Sequence, residues 1–153
     1  MRTQHRRAAH AKREIMPKWF RPKLTPAQES SCKLAHWDLI GRITSGRATE
    51  HDLWDMVHTG LTYSELMRLL EQDGTEFTDE AKAAISEHLE SLPGVIDRYR
   101  RTGRVGFNGE QLLAARAAAE LMEQLIEMDR FGFAVRATEW AKAKVDAIRG
   151  VST

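Results

Sequence analysis

The chain has little with which to staple or anchor itself. One cysteine, Cys32, in 153 residues excludes an intrachain disulfide and a four-cysteine zinc site. No apolar run approaches the 18 or so residues that a membrane helix needs. The early arginines are not followed by the apolar stretch of a secretory signal, and neither end carries a lipidation motif. Segments alternating apolar and polar residues are never longer than four, which argues against sheet. The glycine fingerprints of phosphate-cradling loops are missing as well. These absences lead us to expect a cytoplasmic protein with no membrane contact and no cofactor. A lone thiol suits a reducing compartment.

What is present reads as globular. Apolar residues make up 42% and charged residues 29%, a soluble balance. The length fits one ordinary domain, which buries roughly two thirds of the surface its unfolded chain exposes.

The net charge of +1 conceals an asymmetry. Residues 1–24 hold eight bases (Arg2, Arg6, Arg7, Lys12, Arg13, Lys18, Arg21 and Lys23) and one acid, Glu14, for +7. The rest holds 15 bases and 21 acids, for −6. A basic N-terminal arm on an acidic body is the main organisational feature. The arm also carries Trp19 and Phe20. Pro17, Pro22 and Pro26 bias the residues before them away from the helix, so its later half is expected to be extended and its earlier half partly helical.

From residue 25 to 151 the pattern is helical, and the expected fold is all-α: an irregular bundle of five to seven helices. Thr25-Pro26-Ala27-Gln28 is a capping box with proline at the first helical position. Cys32, Ala35, His36, Leu39, Ile40 and Ile43 then follow one helix face. Thr49 caps a second helix that Gly60 is expected to break. Thr62-Tyr63-Ser64-Glu65 reads as a further capping box opening a third. Thr78 starts a fourth, with Ile85, His88 and Leu92 inward and a kink or break at Pro93-Gly94. Asn108 with Gln111 caps a long, alanine-rich helix. A last helix runs from Phe133 to Arg149, with Ala137, Trp140, Ala141 and Ile148 inward. The short link at Gly132 predicts that the last two helices form an antiparallel hairpin.

Several clusters carry possible chemistry. Arg98, Arg100, Arg101 and Arg104 lie at a helix end beside a glycine-rich loop. With the arm, they suit contacts to the phosphates of DNA or RNA, and Trp19 or Phe20 suits stacking on a base. The same cations complement a helix C-terminus with no ligand at all, and the arm suits an acidic protein surface or a second copy of the chain equally well. Residues 49–73 have helix-turn-helix proportions, yet the second helix is net negative and poor in donors for base edges. Leu34 and Trp37 fall off the main apolar stripe, as partner-binding residues or as a face covered from within. His51, Asp55 and His58 share a helix face and are of metal-ligand type, a spacing that solvated faces also produce. Glu120, Glu123 and Glu127 form an acidic ridge, expected to be solvated with Arg116 pairing Glu120. His36 and His88 sit inside apolar stripes; if they face each other, their contact is pH-sensitive. Cys32, on the expected core side, is poorly placed to react. No catalytic constellation emerges. The expectation is a small non-enzymatic protein associated with nucleic acid, the alternatives being a protein adaptor or inhibitor and a metal-dependent enzyme.

Overall fold

The computed structural model describes residues 24–150, and among them forms five α-helices and no strand. These are α1 (Pro26–Thr44), α2 (Glu50–Gln72), α3 (Asp79–Thr102), α4 (Gly109–Met128) and α5 (Phe133–Arg149). Four starts are set by local chemistry. The side chains of Thr25, Thr49, Thr78 and Asn108 each accept a hydrogen bond from the backbone N–H three residues on. That satisfies a donor the helix itself leaves unpaired. The fifth start borrows its cap: Asp129 accepts from the N–H groups of Phe133 and Ala134, at 2.9 Å each.

One break expected from the sequence is absent, and at Pro93-Gly94 the chain stays one helix. Helix α2 runs straight through Gly60, and the Thr62 hydroxyl donates to the His58 carbonyl within it at 2.8 Å rather than capping a new helix. Gly60 is there for packing. A Cβ at this position would lie 3.2 Å from Leu89 Cδ2 and 3.3 Å from the His88 ring, so the glycine lets α3 approach α2. The helix-turn-helix reading therefore fails, because its turn is helix. Glu65, expected at a cap, is buried and takes two hydrogen bonds from Arg68. Likewise α3 continues past Pro93 to Thr102, where Gly103 closes it in the left-handed conformation with φ 69°. Its N–H donates to the Tyr99 carbonyl at 2.7 Å.

The core is built around α2, which contributes Leu53, Trp54, Met56, Leu66 and Leu70. One apolar cluster joins its first half to Leu39 and Ile43 of α1, Val95 of α3 and Val145 of α5. The other joins its second half to Ile85, to Met122 and Leu125 of α4, and to Ala137. Alanines 115 and 119 let α1 settle on α4 through Ile40. Helix α5 packs more extensively against α2 than against its chain neighbour α4.

Two further expectations are corrected by burial. Cys32 is exposed rather than core-facing, as is Ala35; on α1 only His36, Leu39, Ile40 and Ile43 are buried. Trp140 and Ile148 are also exposed, and the Lys144 ammonium lies over the Trp140 ring at 5.5 Å. The acidic ridge of α4 is put to use: Glu123 accepts from the Trp37 indole N–H at 2.8 Å and Glu127 pairs with Lys33 at 2.5 Å, tying α1 to α4.

Candidate nucleic-acid interface

The arginine-rich end of α3 and the loop after it form one wall of an open groove of about 670 Å³. The end of α1 and the link to α2 form the other wall, through Ile43, Thr44, Gly46 and Ala48. Val105, Phe107 and Leu112 supply apolar lining, and Arg98 and Arg104 supply charge. The loop holds its shape through hydrogen bonds. Arg98 Nη1 donates to the Gly106 carbonyl at 2.8 Å and to Gln111 Oε1 at 3.2 Å. Gln111 Oε1 also accepts from the Asn108 N–H, while Gln111 N–H donates to Asn108 Oδ1, each at 2.8 Å. Thr102 accepts from the Arg104 N–H at 3.2 Å, and Val105 is buried as an apolar plug. Asn108 and Gln111 thus start α4 and brace the loop at once.

The four arginines of this end have separate fates. Arg98 is half-buried and committed to the loop. Arg101 is exposed and pairs with Asp97 one turn back, at 3.0 Å. Arg100 and Arg104 are exposed and make no ion pair among the described residues. Arg47, which the sequence did not single out, is also exposed and lies between groove-lining Gly46 and Ala48, its Nε donating to Ser45. Nothing in the local sequence brings residue 47 near residue 104; only the packing of α1 and α3 around α2 does. The arm residues Arg2, Arg6, Arg7, Lys12, Arg13, Lys18, Trp19, Phe20, Arg21 and Lys23 lie outside the described residues.

Below the groove, a corner of polar contacts fixes α1 against α2. Asp52 is buried and accepts from Arg42 Nε at 3.2 Å, Arg42 Nη2 at 3.0 Å and the Thr49 N–H at 2.8 Å. The Thr49 amide, more than the guanidinium, holds its carboxyl below the usual range. Arg42 also pairs with Asp38. Nearby, Glu50 accepts from the Trp54 indole at 3.2 Å and from the Tyr99 hydroxyl, and these bonds lower its proton affinity and raise that of Tyr99. The Arg149 guanidinium caps the Trp54 ring at 5.2 Å.

The other candidates separate. Leu34 is 70% exposed, whereas Trp37 packs beside Ile40 and the α4 alanines. His51 and Asp55 pair at 3.3 Å on an exposed face, but His58 turns away and donates to the Thr138 carbonyl of α5 at 3.2 Å. Among the described residues, no three His, Cys, Asp or Glu side chains gather to hold a metal ion. His36 and His88 are both buried, and among the described residues none of their four ring nitrogens has a hydrogen-bond partner. No family model, curated protein or solved structure matches this chain.

Proposed function

We propose that the protein is a small, non-enzymatic, nucleic-acid-associated accessory protein that grips phosphates through its basic N-terminal arm and the arginine end of α3. The observation that supports this reading most is the division of labour at the groove. Arg98 braces the loop, and that leaves Arg100 and Arg104 exposed at its edge without a carboxylate partner among the described residues. Guanidinium groups in this state suit bidentate contact with phosphate oxygens. They stand on a body that is otherwise acidic, so contact is local rather than spread over the surface.

Fluorescence anisotropy with short single- and double-stranded DNA and RNA tests the reading. It uses the full chain and a chain lacking residues 1–24, at two salt concentrations. Salt-dependent binding that weakens on removal of the arm is the expected result. No binding at low salt overturns it.

One observation favours a second reading, a protein adaptor. Leu34 and Leu113 are 70% and 67% exposed, more than a helix surface needs. In this reading a specific protein co-purifies after nuclease treatment, and Leu34→Ser releases it.

A further inference from the structure

The interior holds a feature that neither the groove nor the core explains. His88 of α3 is 1% exposed and His36 of α1 is 8% exposed. Among the described residues, none of the four ring nitrogens has a hydrogen-bond partner. Buried polar atoms nearly always have a partner, so two such rings together need a reason. The space for one of them is built in: the missing side chain of Gly60 on α2 admits the His88 ring edge. The rings also sense each other, since a charge on His36 lowers the proton affinity of His88.

The place of His36 on α1 gives the pair a mechanical meaning. It is the first buried residue of the helix; none of residues 26–35 is buried. The ion pair of Lys33 with Glu127 is the one salt bridge to another helix from that stretch among the described residues. Undocking His36 therefore leaves more than two turns of α1 with almost nothing to hold them.

We propose that His36 and His88 form a proton-operated latch, neutral and closed at physiological pH, whose protonation in mild acid undocks the N-terminal half of α1 from α2, α3 and α4. The argument is independent of the nucleic-acid reading. In the closed state both rings are neutral, because burial pushes each down to about 4. Protonation puts two cations in a space that offers them few acceptors. The titratable groups around the pair are few. Glu123 of α4 draws a proton toward His36, although its carboxylate already accepts from Trp37. On the α2 side the His88 ring meets Gly60, which does not titrate. With Glu123 on its side, His36 gains an escape by moving outward, whereas His88 has none. That asymmetry is why α1 moves rather than α3.

Hydrogen exchange on the full chain at pH 7.5 and 5.0, corrected for intrinsic exchange, tests the latch together with NMR titration of the imidazoles. The expected result is exchange of the α1 amides before Leu39 rising tenfold or more at pH 5.0, with the α5 amides unchanged. His36→Gln with His88→Gln removes the titrating groups and should abolish the rise. An equal rise in this variant overturns the latch. If the variant does not fold, the wild-type chain decides. Imidazole signals that titrate together with the loss of α1 protection support the latch; both rings titrating near 6.5 while α1 stays protected overturn it.

Discussion

The α3–α4 corner and the histidine layer are both polar insertions into an apolar bundle, and they are built oppositely. At the corner, a half-buried charge is met by a carbonyl and an amide oxygen, and those acceptors are themselves positioned by a helix cap. In the layer, two rings have no hydrogen-bond partner among the described residues. A satisfied network fixes one geometry, and it does so at any ordinary pH because a guanidinium keeps its charge. An unsatisfied pair holds only while it is neutral. One region is a brace and the other a latch.

The largest expected effect separates the two by pH. A histidine that titrates at about 4 when folded and near 6.5 when unfolded favours folding above 6.5, where both states bind no proton. Between those values the unfolded chain binds more protons, so stability falls as pH falls through the window. Linkage puts the loss at roughly 2 kcal/mol per ring by pH 5. Urea midpoints at pH 7.5 and 5.0 should show it, and the double glutamine variant should lose most of the difference.

Next is the brace. Arg98→Ala removes hydrogen bonds from a charged donor to Gly106 and Gln111 and should cost about 2 kcal/mol. The cost should be the same at both pH values, which sharpens the contrast. Arg98→Lys should recover only part of it, since an ammonium does not reproduce the geometry of the guanidinium.

The smallest effects come from two helical glycines. Gly41→Ala meets nothing within 4 Å and should stabilise by up to about 1 kcal/mol through helix propensity. Gly60→Ala places its methyl against Leu89 and the His88 ring. It should lose that gain and destabilise by about 1 kcal/mol. Thermal melts of the two variants decide it, and a stabilised Gly60→Ala would show that the layer has slack.

What the sequence made legible follows from where each signal resides. Thr25, Thr49, Thr78 and Asn108 were readable as caps because a cap is chemistry between residues three apart. Ile85, His88 and Leu92 were readable as core because they share one face of one helix. Gly60 misled because a residue that often ends helices is tolerated inside one when a neighbour needs the space, and that neighbour, on α3, is far off in sequence. Trp140 was expected inside because its spacing puts it on the face of Ala137 and Ala141, but of that face only the alanines are buried. Of the candidate site, the arginines of α3 were legible as a charge cluster. Their division into brace and exposed pair was not, since the carbonyl that claims Arg98 belongs to a loop whose path no periodicity encodes. Arg47 was invisible for the same reason.

The salt dependence of nucleic-acid affinity tests the central claim most directly. Each phosphate that the protein neutralises adds about 0.7–0.9 to the slope of log affinity against log salt. The account predicts that Arg100→Ala with Arg104→Ala lowers the slope by about 1.5 without changing the thermal midpoint. A slope equal to that of the wild-type chain would contradict it.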